Sequence, residues 1–150
     1  MMYQNGAPAN IQANIYAIDQ SVSNLDIVYV VSEAGGTLFK SIDKGDNWAS
    51  VTDDIHFSGP REIEIDPTNP DILFIGSQHY INKSTDGGIN WTVVTNGWPN
   101  ETSISNYGGR LTVSDGFSNI IYAYIGANWA AAPTAKDGIK IMKSSNAGDS

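Results

Sequence analysis

The sequence predicts an all-β fold: a segment of a β-propeller with about three four-stranded blades. Three observations predict it. A nine-residue pattern recurs as KSIDKGDNW at 40–48 and KSTDGGINW at 83–91, and a shortened KSSNAGDS stands at 143–150. Its serines, Ser41, Ser84 and Ser144, are 43 and 60 residues apart, and a period of roughly 40–45 residues suits a blade of four short strands. Short β-branched and aromatic runs, bounded by Gly, Pro, Asn and Asp, precede each copy in the same order, with no sustained apolar period of 3.6 to suggest helix.

The elements follow in order. In the first repeat, about 11–53, the strands are NIYAI (14–18), IVYVV (27–31), TLFKS (37–41) and WASVT (48–52). In the second, about 61–96, EIEI (62–65) leads through the turn DPTNP (66–70) to ILFIG (72–76), YINKS (80–84) and WTVVT (91–95). In the third, about 109–150, RLTVS (110–114), IIYAYI (120–125) and IKIMKS (139–144) are present and the fourth strand is absent. The wider third spacing is one blade with loop insertions.

The repeated turn has a mechanism. Asp43 and Asp86 stand where a carboxylate accepts backbone N–H groups that follow it. Gly45 and Gly88 permit the positive φ that closes a hairpin. Trp48 and Trp91 open the outer strand and supply apolar contact over the turn. In the third copy Asn146 replaces the aspartate and makes a similar turn; a tryptophan is expected to follow Ser150.

Bulk properties bound the function. The chain has 150 residues, 16% charged, with a formal net charge of −8. Nucleic acid and anionic membrane surfaces call for a basic face, so neither is expected as a partner. No apolar run approaches the roughly 20 residues of a membrane helix, so no membrane insertion is expected. With no cysteine there is no disulfide framework and no thiolate site. No signal peptide is visible at the start.

The pattern Ser-x-Asp-x-Gly-x-x-Trp resembles the Asp-box, or bacterial neuraminidase repeat. Ser41, Asp43, Gly45 and Trp48 match it, as do Ser84, Asp86, Gly88 and Trp91; Ser144, Asn146 and Gly148 form a partial third copy. The resemblance covers nearly the whole chain. The family includes sialidases, xyloglucan-cleaving hydrolases, the sortilin propeller and a photosystem assembly factor. It implies that the boxes are structural, and an extracellular or cell-surface location in a bacterium. Three blades cannot close a ring, so the chain is read as a fragment whose partners include the remaining blades of a longer protein.

Strand connectivity places the boxes and DPTNP on one face of short turns. The opposite face receives the variable loops, where function is expected. The only two arginines, Arg61 and Arg110, each stand five residues before an aspartate, Asp66 and Asp115, with Asn14 five before Asp19 in the first repeat. On that alignment both arginines enter neighbouring inner strands from the loop face, a fork suited to a carboxylate or phosphate. Phe57, Trp98, Tyr107 and Trp129 are aromatic candidates for stacking on a sugar or another flat ligand. Carboxylate candidates for acid–base work are Asp53, Asp54, Glu62, Glu64, Glu101 and Asp137, with Glu62 and Glu64 on one side of a strand. His56 and His79 lack the short spacing of a metal site, and no metal or cofactor is expected.

The expected function is therefore a non-catalytic, glycan- or protein-binding propeller segment, with Arg61, Arg110, Trp98, Trp129 and Tyr107 as the ligand-binding candidates. The alternative is a segment of a sialidase-like or xyloglucanase-like glycoside hydrolase; a peptide-holding propeller is the third reading.

Overall fold

A computed structural model describes residues 14–32, 37–52, 59–77, 80–94, 107–126 and 139–149. It is a β-propeller segment built from three antiparallel sheets. The first blade is β1 (Ile15–Gln20), β2 (Val28–Ser32), β3 (Leu38–Ser41) and β4 (Ala49–Thr52), paired in that order. The second repeats it with β5 (Glu62–Ile65), β6 (Leu73–Gly76), β7 (Ile81–Ser84) and β8 (Thr92–Val94). The third holds β9 (Tyr107–Ser114), β10 (Phe117–Gly126) and β11 (Ile139–Ser144). Every strand expected from the sequence is present, and among the described residues there is no helix.

Strand alternation explains how the blades stack. Along β6, Leu73 and Ile75 point one way and Phe74 the other. Leu73 and Ile75 join Ile63 and Ile65 against Tyr29, Val31 and Leu38 of the first blade, with Ala17, Val51 and Trp91 at the margin. Phe74 and Ile81 pack on Leu111, Val113, Ile121 and Ala123 of the third blade. Both faces of the second blade are therefore covered, and β6 is buried at every residue. That is why ILFIG reads as a continuous apolar run. Each fully buried Leu or Ile contributes about 1.5–3 kcal/mol.

The pairing register aligns the blades residue by residue. Tyr29 stands opposite Lys40, Phe74 opposite Lys83, and Tyr122 opposite Lys143. In each blade the lysine ammonium lies over the ring, 5.1 Å, 5.9 Å and 5.9 Å from its centroid. Two of these lysines reach the next blade: Lys40 pairs with Asp71 at 3.4 Å, and Lys83 with Asp149 at 2.9 Å.

The same register corrects the alignment of the arginines. Glu62 pairs with Gly76 and Arg110 with Tyr124, which are matching positions on β6 and β10. Arg110 is thus the counterpart of Glu62, and Arg61 lies one residue earlier. Strand alternation sends the two to opposite sides. The cause is turn length. Asp66 opens a turn closed by its N–H donating to Ile72 O at 2.9 Å, whereas β9 and β10 are joined through Asp115 and Gly116 alone. In the first blade it is Ser21, donating to Ile27 O at 3.0 Å, that occupies the place of Asp66, so Asp19 is not its equivalent.

Candidate functional site

The patterned turns are built around their serines. Ser41 Oγ donates to Asp43 Oδ1 at 2.8 Å and accepts the N–H groups of Asp43 at 3.3 Å and Gly45 at 2.8 Å. Asp43 Oδ1 accepts from Asn47 N at 2.8 Å while Oδ2 takes the Asn47 amide at 2.7 Å. Trp48 Nε1 donates back to Gly45 O at 2.9 Å. Ser84, Asp86, Gly88, Asn90 and Trp91 repeat each bond. In the third copy Ser144 donates to Asn146 Oδ1 at 2.8 Å and accepts from Gly148 N at 2.9 Å. Asp43 and Asp86 are held below the usual carboxylate range, Asp43 chiefly by the Asn47 side chain and Asp86 chiefly by the Asn90 backbone N–H. Such carboxylates remain ionised acceptors; they cannot serve as acids near neutral pH.

These turns share a face with the first-to-second connections, as expected. Lys44 N donates to Asp26 O, Gly87 N to Asp71 O and Ala147 N to Asn119 O.

The other constellation lies on the inner strands. Asp19 Oδ2 of β1 accepts the backbone N–H of Ile65 in β5 at 2.8 Å. Glu62 Oε2 accepts from Leu111 N in β9 at 3.0 Å, and Glu64 Oε2 from Val113 N at 3.3 Å. Each carboxylate thus crosses from its own blade to the next. Burial pushes Glu64 up to about 7, with smaller contributions from the charges of Asp19, Glu62 and Asp115. Asp19 is raised too, again mainly by burial. In the sequence, the signal for Asp19 and Asp115 is an acidic residue on an inner strand or at its end.

Among the ligand-binding candidates, Arg61 leads into β5, and its backbone N–H donates to Gly76 O at 2.8 Å. Arg110 is exposed on β9. Tyr107 opens β9, opposite Gly126. Trp98 and Trp129 lie outside the described residues, as do Phe57, Asp53, Asp54, His56, His79, Glu101 and Asp137. Among the described residues no group of three His, Cys, Asp or Glu side chains could hold a metal ion.

Neither a protein-family profile nor a curated protein sequence matches the chain. Solved structures do. A GH74 enzyme from Niastella koreensis aligns at 26% identity and a TM-score of 0.66, covering 91% of this chain and 22% of that one. The GH74 xyloglucanase of Xanthomonas campestris aligns at 14% identity and a TM-score of 0.67, over 89% of this chain and 20% of that one. YCF48 from Cyanidioschyzon merolae aligns at 18% identity and a TM-score of 0.61, over 95% of this chain and 37% of that one. The chain is similar to all three in its propeller fold. It spans about a fifth of the length of the two GH74 proteins.

Proposed function

We propose that this chain is a non-catalytic segment of an Asp-box propeller in a secreted or cell-surface protein, where it carries loops that bind a glycan or a protein. One observation carries this reading. Asp19, Glu62 and Glu64 are engaged as acceptors for backbone N–H groups of the neighbouring blade. Their chemistry is spent on joining blades, and the box aspartates are spent on their own turns. The reading is supported by neighbours of different kinds on one fold, among them a structure of YCF48 bound to D1 peptide. Binding then falls to the loop face, with Trp98, Trp129 and Tyr107 stacking on the ligand and Arg61 and Arg110 acting as separate polar contacts rather than as one fork. Calorimetric titration with xyloglucan oligosaccharides, sialylated glycans and peptides tests it. Binding without release of reducing sugar, weakened about tenfold by Trp98→Ala or Trp129→Ala, is expected. Turnover of any glycan overturns it.

A second reading, a segment of a glycoside hydrolase, is favoured by the 26% identity to the Niastella GH74 enzyme and by Glu64. A carboxyl group near 7 is poised to donate a proton to a leaving oxygen. Under that reading the wild type hydrolyses xyloglucan and Glu64→Gln abolishes the activity.

A further inference from the structure

Among the described residues the two inter-blade seams carry their carboxylate-to-amide bonds in the same place, on the inner strands, but not in the same number. The seam between the first and second blades has one carboxylate-to-amide bond, Asp19 to Ile65 N. The seam between the second and third has two, Glu62 to Leu111 N and Glu64 to Val113 N. Glu62 and Glu64 lie on the same side of β5 because they are two residues apart on a strand. Glu64 is the more central. Asp19 of β1 lies on one side of it, Glu62 beside it, and Asp115 at the β9–β10 turn beyond Val113; all three act on it electrostatically.

Of the other neighbours, Arg61, one residue before Glu62, leads into β5 on the side opposite to Glu62 and Glu64. β6, the sheet partner of β5, is LFIG and has no ionisable group. β2 brings Tyr29, a phenol that burial keeps protonated. β9 brings Arg110, exposed and at the register of Glu62 rather than of Glu64.

We propose that the inner-strand seam between the second and third blades is a proton-operated joint: it is held closed when Glu64 carries a proton and loosens when Glu64 is ionised. The geometry supplies the parts. Glu62 and Glu64 both reach across this seam from one side of β5, Asp19 reaches Ile65 beside Glu64 from the first blade, and Glu64 takes its hydrogen bond from the backbone N–H of Val113. A neutral donor at 3.3 Å offsets little of the cost of a half-buried charge beside other carboxyl groups. Protonation removes the charge and leaves a carbonyl oxygen that still accepts the N–H.

The sign follows from linkage. The closed seam holds the Glu64 proton more tightly than an open, solvated seam does, since Glu64 titrates at about 7 when closed. The stabilising contribution is therefore fully present below the ordinary glutamate range and is lost as pH rises through 7. This is the reverse of the depressed box carboxylates Asp43 and Asp86, whose contribution is lost on acidification. The joint does not depend on whether the chain binds or hydrolyses a glycan.

The test is amide hydrogen exchange by mass spectrometry or NMR on the whole chain, corrected for the intrinsic pH dependence of exchange. In the wild type, protection of the Leu111 and Val113 amides is expected to fall about tenfold between pH 5.5 and 8, while that of Ile65 falls less. Glu64→Gln keeps an acceptor oxygen and has no proton to lose, so its protection at Val113 is expected to stay level. Near-UV circular dichroism of Trp48 and Trp91 checks that the variant is folded. A flat wild-type profile overturns the proposal, as does a Glu64→Gln profile as steep as the wild type. If Glu64→Gln does not fold, Glu64→Ala serves instead; an undiminished slope there overturns the proposal equally.

Discussion

The first and second patterned turns are nearly the same object in different surroundings. Their internal bonds match to within about 0.1 Å, from Ser41 and Ser84 through to Trp48 and Trp91. Gly45 and Gly88 share a φ of +94°. Beyond that the two part company. A Cβ on Gly45 would meet only its own tryptophan, Trp48 Cζ2 at 3.6 Å. A Cβ on Gly88 would overlap Leu38 of the preceding blade and touch Leu73 at 3.4 Å and Val51 at 3.5 Å. Gly87, which precedes it, lies against Asp71, Tyr29 and Lys40. The local sequence determines the shape of the turn, but the neighbouring blade determines how much the turn matters. One motif is a self-contained hairpin clamp and its twin is a wedge between blades.

The largest expected effect breaks that comparison directly. Gly88→Ala combines left-handed strain of about 1–2 kcal/mol with overpacking of about 1–3 kcal/mol against Leu38. Gly45→Ala carries the strain alone. Chemical denaturation should show a loss at Gly88 at least twice that at Gly45; equal losses would mean that the wedge is relieved by movement of Leu38. Next come the serines. Ser41→Ala and Ser84→Ala each strand two backbone N–H groups and take one of the donors from the carboxylate, and each should cost about 1–3 kcal/mol. Because both serines are buried to 1% exposure, these two losses should be similar, unlike the glycine pair. A smaller effect sharpens the seam. Lys40→Met should cost no more than about 1 kcal/mol, since Lys40 and Asp71 are 23% and 55% exposed and the pair is partly screened. A salt titration of the melting temperature should show the wild type losing most of that difference at high ionic strength.

How much of this was legible in the sequence depends on the distance over which each feature is decided. The strands, the turns and the glycine conformations are decided within a few residues, and KSIDKGDNW and KSTDGGINW announce them. The serine hub and the asparagine brace were also within reach, since Asn47 and Asn90 repeat at the same place in each copy. The arginine register was not. Two strands of similar sequence are entered through turns of different length, and a slip of one residue reverses the side on which a residue lies. The seam carboxylates were not legible either. Asp19 and Ile65 are 46 residues apart, and Glu62 and Leu111 are 49 apart. Alternation predicts that Glu62 and Glu64 share a side, but only the packed neighbour shows what they meet.

Every cross-blade contact described runs in the same sense. A carboxylate of one blade reaches a backbone N–H of the next, a lysine reaches forward to an aspartate, and a turn glycine leans back on the preceding blade. The second blade therefore carries a socket on the edge that meets the first and a plug on the edge that meets the third. A tandem duplication of a single repeat inserts both at once, and the new copy joins its parents without a compensating change in either. Growth by whole repeats is then easier for the gene than the alteration of any one seam, and divergence is left free to accumulate in the loops.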